Sequence, residues 1–321
     1  SVIDPSDDIV VIPAGGCKPA RNLNADSIAD ESNPVYSPDG RYLAYSQKRT
    51  PRFYADTQRL MLLDRTGGTT RGLTGQWDRS ADGLVWASDS KSIYGQIDDA
   101  ATSRIYRFAL TGGAPRAVTG ASSFSGLEVA GKVAIALRQS FSEPAALVRL
   151  DLAKGAITKL SDFNDGALAS LAMGKVESVT YKGARGDPIQ MWVIYPPGFD
   201  PAKQYPVYML LHGGPHNGIQ DALTYRWNAH VFANWGYIVT WHNFHGSSGF
   251  GQAFADSINP DRITLPYEDT IKAAEWLAAQ PYVDADHMVA GGGSYGGFLA
   301  TTLLGRPHPF KALIAHAAVY D

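Results

Sequence analysis
The strongest constraint on this chain is a phrase that it repeats. "IVVIPAGGCKPARNLN", "LMLLDRTGGTTRGLTG", "IYRFALTGGAPRAVTG" and, more loosely, "LVRLDLAKGAITKLSD" each run from an apolar strand into a glycine turn and out into a second strand, with the turn glycines at Gly16, Gly68, Gly113 and Gly155. Between the copies stands a second phrase, "VYSPDGRYLAYS" from Val35 and "VWASDSKSIYGQ" from Val85, again strand, Asp-containing turn, strand. Two hairpin signals per period of about 40 to 50 residues predict four strands per repeat, the unit of a β-propeller blade. A β-sandwich is the bland alternative, but sandwiches do not repeat one turn phrase at a near-constant period. Three to four blades can be counted over residues 1–172, and propellers close with about 4 to 8. An open arc leaves strand edges exposed, so the expectation is a partial propeller whose N-terminal part lies outside this chain.

After "LSDFNDGALASLAMGK" the pattern changes, and residues 173–321 read as a second domain. A hairpin over "VESVTYKGARGDPIQMWVIYPP" is followed by a strand at Val207 to Leu211, a helical segment near Ala222 to Asn234, and a strand at Tyr237 to Trp241. The segment "YEDTIKAAEWLAAQ" places Ile271, Ala274, Leu277 and Ala278 three to four apart, the spacing of one helix face. Then come strand "HMVAG", a helix after Ser294, and strand "ALIAHA". Such alternation predicts a mainly parallel sheet with helices on both faces, whose ligands bind beyond the carboxyl ends of the strands.

Two glycine-rich turns fall at those strand ends. Gly292-Gly293-Ser294-Tyr295-Gly296 is a G-x-S-x-G between an apolar strand and a helix, the composition of a nucleophile elbow. Strand and helix approach so closely there that only tiny residues fit two before and two after the serine. A rival reading takes Gly291-x-Gly293-x-x-Gly296 as a dinucleotide fingerprint with Asp321 as the ribose-binding acid. That fold normally begins with its glycine turn, whereas here at least three strand-like segments precede it. It also leaves the second turn, "LLHGGPHNG", unexplained. His212-Gly213-Gly214-Pro215 directly after a strand is the type of loop that supplies one oxyanion amide in a serine hydrolase, the other being the amide after the nucleophile, here Tyr295.

"GGSYGGF", "HGGPH", "NFHGSSGFGQ" and "PYVDADHMVAGGGS", preceded by propeller repeats, resemble the prolyl oligopeptidase family of serine peptidases. "YRWNAHVFANWGYIV" and "IAHAAVYD" are most similar to its dipeptidyl-peptidase V and acylaminoacyl-peptidase branch. The resemblance implies an α/β-hydrolase domain capped by the propeller, with Ser294 as nucleophile, Tyr295 and Gly214 as oxyanion N–H donors, and Val319 lining the pocket for the side chain before the cleaved bond. Short peptides are the implied substrates and no cofactor is implied. The branch implies a soluble periplasmic or secreted protein, and the residues themselves leave the cytoplasm open. The chain departs from the family pattern in three places. His245 in Asn243-Phe244-His245-Gly246-Ser247 stands where the family usually has arginine, Ile263-Thr264 replaces an expected glycine pair, and His287 stands where arginine is common.

A serine nucleophile needs a base. His212 and His216 are four apart, but Gly213, Gly214 and Pro215 between them break the helix that a metal-binding pair of that spacing requires. His308 and His316 read as loop or packing residues, because in this fold the acid and the histidine follow the serine on later strands. Glu268, Asp269 and Asp284 read as helix-start or loop carboxylates. The catalytic Asp and His are therefore expected on a C-terminal segment or companion chain outside these 321 residues. Other classes are weakly supported. A net charge of −3 without runs of like charge argues against nucleic acid or an anionic membrane as partner, and a single cysteine, Cys17, allows neither an internal disulfide nor a cysteine-based metal site. An esterase of the same fold, or a propeller interaction module carrying an inactive hydrolase, remain the alternatives.

Overall fold
The computed structural model describes residues 7–16, 18–25 and 27–320. Cys17 and Asp321, which entered the sequence reading, lie outside the described residues. The chain divides into two compact units. The first takes the chain up to Asp99, then Ser103–Arg138 and Leu147–Ser161; the second takes Ala100–Thr102, Gln139–Ala146 and the chain from Asp162 onward.

Among the described residues the first unit holds three four-stranded sheets in which consecutive strands are neighbours, and the repeated phrases supply their hairpins except for Ser123–Ala130 with Val133–Ser140. In the first of them Asp30–Tyr36, Tyr42–Lys48, Arg59–Asp64 and Thr69–Gly72 pair antiparallel throughout. The second runs from Val85–Trp86 to Arg116–Ala117 and the third from Ser123–Ala130 to Ile157–Lys159. The opening phrase forms a two-stranded pair, Val10–Val11 with Arg21–Asn22. Alternation puts every second side chain on one face, so sheets must stack to bury those faces. Leu60, Leu62, Ile93, Ile97 and Phe108 form one such layer, and Ile105, Phe124, Val148 and Leu150 the next. These are propeller-like blades.

The second unit is a six-stranded sheet covered by helices. Its order across the sheet is Val176–Lys182, Pro188–Ile194, Ile238–His242, Tyr205–Leu211, Val283–Gly293 and Ala312–His316. The first two strands form an antiparallel hairpin that joins Ile238–His242 antiparallel, and the remaining pairings are parallel. Tyr205–Leu211 lies between the strands that follow it in sequence, which is the crossover of an α/β-hydrolase sheet. Val207, Met209 and Leu211 enter one core, and Tyr208 and Leu210 the other, so this strand is buried on both faces.

Two predicted helices differ in detail. The segment near Ala222 to Asn234 is helical only over Ala229–Asn234, because Trp227 has a φ of 55° and Asn228 is extended; the Asn228 carboxamide accepts the His230 N–H at 2.9 Å as a cap. The long helix begins at Thr264 and ends at Ala278. Its buried side holds Pro266, Asp269, Thr270, Ala273, Ala274 and Leu277, while Ala278 is exposed and Ile271 only partly covered. The inward face is thus rotated from the one predicted, and a carboxylate sits in the middle of it.

Candidate active site
Ser294 stands between the strand Val283–Gly293 and the ten-residue helix Tyr295–Leu304. Its φ and ψ are 56° and −120°, a region that side-chain-bearing residues rarely enter and that costs on the order of 1–3 kcal/mol. Its neighbours explain what holds it there. A Cβ on Gly292 would stand 2.1 Å from the Leu211 carbonyl oxygen, and one on Gly296 would stand 2.0 Å from the same oxygen. Glycine two before and two after the serine is therefore a steric requirement of two backbones meeting at the end of Tyr205–Leu211. The Ser294 N–H donates to His316 O at 3.0 Å, fixing the turn to the next strand as well.

The serine side chain is exposed at a cleft of about 370 Å³ whose lining includes His212, Gly213, Gly214, Arg226, Trp227 and Ser294. Gly214 has a φ of 121°, and a Cβ there would meet the His216 and Asn217 amides at 2.7 and 2.9 Å, so this turn too admits only glycine. Tyr295 opens the helix, where a backbone N–H has no partner within the helix and the helix end favours negative charge. Its side chain points away from this role: the ring is buried and its hydroxyl donates to Arg262 O. Val319 is 52% exposed and is not among the cleft-lining residues.

The glycine turn after Tyr205–Leu211 is fastened to the Asn243–Ser247 loop. His212 Nε2 is 3.0 Å from Ser247 Oγ, its Nδ1 is 2.8 Å from Gly213 O, and its ring stacks on Phe244 at 3.8 Å. His216 Nδ1 is 2.9 Å from Gly246 O. Burial pushes His212 down to about 4, so it is neutral near pH 7. His308 stacks on Phe310, and His316 meets Trp227 edge-on. His287 is exposed and 2.8 Å from Asp284 Oδ2. Among the described residues no side chain is hydrogen-bonded to Ser294 Oγ, and no three His, Cys, Asp or Glu side chains gather as a metal would require.

The sequence reading of Asp269 is corrected by the structure. Asp269 is fully buried in the body of its helix. Its Oδ1 accepts the Ala184 N–H at 2.8 Å; its Oδ2 accepts the His245 N–H at 2.7 Å and faces His245 Nδ1 at 2.8 Å. His245 Nε2 faces Asp187 Oδ2 at 3.2 Å. The histidine at the family's arginine position is thus clamped between two carboxylates, a cluster that residue-by-residue reading missed. The one signal available was a carboxylate at apolar helix spacing, three after Pro266 and four before Ala273. The loop with Ile263-Thr264 is closed by Asp261, whose Oδ1 accepts the Ile263 N–H at 2.8 Å.

Residues 223–321 match the model of the prolyl oligopeptidase family. The chain is 32% identical over 302 residues to dipeptidyl-peptidase 5 of Porphyromonas gingivalis, covering 94% of this chain and 44% of that protein. It is 33% identical over 334 residues to a probable dipeptidyl-peptidase 5 of Emericella nidulans, covering 97% of this chain and 45% of that one. Among solved structures, Pyrococcus horikoshii acylaminoacyl peptidase superposes with a TM-score of 0.81 at 21% identity, over 97% of this chain and 48% of that one. At that identity the likeness speaks for the fold. The chain spans less than half the length of each of these relatives.

Proposed function
From a chain whose residues 223–321 belong to the prolyl oligopeptidase family, we propose a serine peptidase that cleaves short peptides through an acyl-enzyme on Ser294. The observation that carries the reading is the strained φ of Ser294 in a turn whose Gly292 and Gly296 abut one carbonyl oxygen too closely for any side chain. A turn held at that cost presents Oγ at the cleft beside a helix N-terminus. In the proposed reaction Oγ adds to the substrate carbonyl carbon and its proton passes to a general base. The negative oxygen of the tetrahedral intermediate takes the N–H groups of Tyr295 and Gly214. Collapse expels the amine, which receives that proton, and water then hydrolyses the ester. Val319 is proposed to border the pocket for the residue before the cleaved bond.

The base and its orienting carboxylate are proposed to come from a further segment of the protein or a companion chain. Two facts support this: no described histidine is hydrogen-bonded to Ser294 Oγ, and the chain covers under half of each relative compared. The names of those relatives favour a dipeptidyl- or acylaminoacyl-type exopeptidase. The test is intact mass spectrometry after exposure to a fluorophosphonate, followed by hydrolysis of one dipeptidyl substrate with a free and with an acetylated N-terminus. The expected result is one adduct on Ser294 and a preference of at least tenfold for one of the two N-termini. A protein that takes no probe with its full-length partner segment present is not a serine hydrolase. Equal rates on both N-termini, with cleavage inside longer peptides, would point to an endopeptidase.

A further inference from the structure
We propose that His245 is a positioning residue for the oxyanion turn: as an imidazolium between Asp269 and Asp187, it holds the loop to which the His212–Gly214 turn is fastened. This inference rests on the serine-peptidase reading for its catalytic consequence, and on geometry alone for its structural one. Both ring nitrogens face carboxylate oxygens, Nδ1 toward Asp269 at 2.8 Å and Nε2 toward Asp187 at 3.2 Å. A carboxylate oxygen only accepts, so both nitrogens donate, and that requires the doubly protonated ring. Asp269 in turn gathers the amides of Ala184 and of His245 itself, so one fully buried carboxyl ties the hairpin turn, the long helix and the Asn243–Ser247 loop together.

The next two residues carry the effect onward. Gly246 O is the partner of His216, and Ser247 Oγ that of His212, while the peptide between His212 and Gly214 enters the cleft. A Cβ on Gly213 would lie 3.6 Å from Ser294 Cβ, so the turn borders the serine directly. The groups facing His245 come from every element packed on it. The long helix contributes Asp269, the hairpin contributes Asp187, which is half exposed, and the helix Gln252–Asp256 contributes the Phe254 ring, stacked at 4.7 Å. Burial works against the charged ring, but the Asp269 hydrogen bond and charge, reinforced by Asp187, outweigh it and raise the titration above the ordinary value of 6.5. The clamp is therefore complete below pH 6.5 and loosens as pH rises through that raised value.

The experiment is hydrogen exchange of the whole protein between pH 6 and 9, corrected for intrinsic exchange, read on peptides spanning 210–218 and 243–249. An NMR titration of the His245 ring accompanies it. In the wild type, exchange of both segments is expected to rise roughly tenfold across the His245 titration, the scale of one charge-assisted hydrogen bond. H245R is expected to keep both segments protected at every pH, and H245Q to exchange fast at every pH. Equal profiles in wild type and H245R overturn the proposal, as does a wild-type transition whose midpoint differs from that of the ring. Should the variants not fold, coincidence of the two wild-type midpoints decides alone. Where the protein hydrolyses a peptide, H245Q is expected to lower kcat about tenfold with KM kept, and H245R to restore it. A protein with no hydrolysis at all removes the peptidase reading, while the exchange data still judge the clamp.

Discussion
Leu211 O is met by two glycines, and the consequence is specific to each. Gly296→Ala forces a carbon to 2.0 Å from that oxygen, so the helix or the strand must move. The expected cost is about 3 kcal/mol or more, seen as a lower urea midpoint, together with loss of fluorophosphonate labelling. Gly166→Ala, with nothing within 4 Å, is the matched control and is expected to leave the midpoint within about 0.5 kcal/mol. Both glycine turns were legible in the sequence because each requirement is local: the residue types that fit are fixed by the backbone within two positions. His245 with Asp269 and Asp187 was not legible, since those partners lie 24 and 58 residues away and only the fold brings them together. The buried histidines also set an acid limit. Burial lowers His212 to about 4, and burial together with the neighbouring His212 lowers His242 to about 3. An unfolded chain protonates such rings first, so stability falls as pH drops below 6.5, by about 1.4 kcal/mol per unit for each ring. Urea midpoints at pH 7 and pH 5 check this; an unchanged midpoint would contradict the burial of both rings.

Among the elements, the helix Thr264–Ala278 bears the most unusual load, a charge on its inward face. Asp269→Ala leaves two backbone N–H groups and a ring N–H without an acceptor, and the expected loss is about 3 kcal/mol or more. Asp269→Asn keeps an acceptor oxygen but removes the charge, so it is expected to fall between, and to lose the wild type's added stability below pH 6.5. Denaturant melts of the three proteins at pH 6 and pH 8.5 separate these outcomes. This helix also shows where pattern reading stops. Its existence was plain from the 3.6-residue period, yet the period does not tell which of two overlapping faces is inward when one of them contains an acid. The blades were read more easily, because each repeat states its hairpins again and errors in one copy are corrected by the others.

At the scale of the molecule, chain order and unit membership differ. Ala100–Thr102 and Gln139–Ala146 leave the first unit and are built into the second. The Phe141 N–H donates to Asp221 Oδ1 at 2.8 Å, its ring lies 5.2 Å from that of Trp192, and the Asp221 N–H donates to Ala101 O at 2.8 Å. The connection at residues 162–174 is, by contrast, largely exposed, with Phe163 90% and Leu171 59% accessible and no buried residue in its short helix. Brief chymotrypsin treatment is expected to cut there first. The two pieces are expected to co-elute under native conditions and to part only in denaturant, because the first piece supplies Phe141 to the second unit. Pieces that separate at once would show that these contacts contribute little. The same arrangement has a cost during synthesis. Phe141 leaves the ribosome 80 residues ahead of Asp221. At about 5 to 20 residues per second its aromatic ring waits roughly 4 to 16 s for the body it belongs to. A nascent chain of this design is most exposed to misassembly while the ribosome is still reading the codons between them.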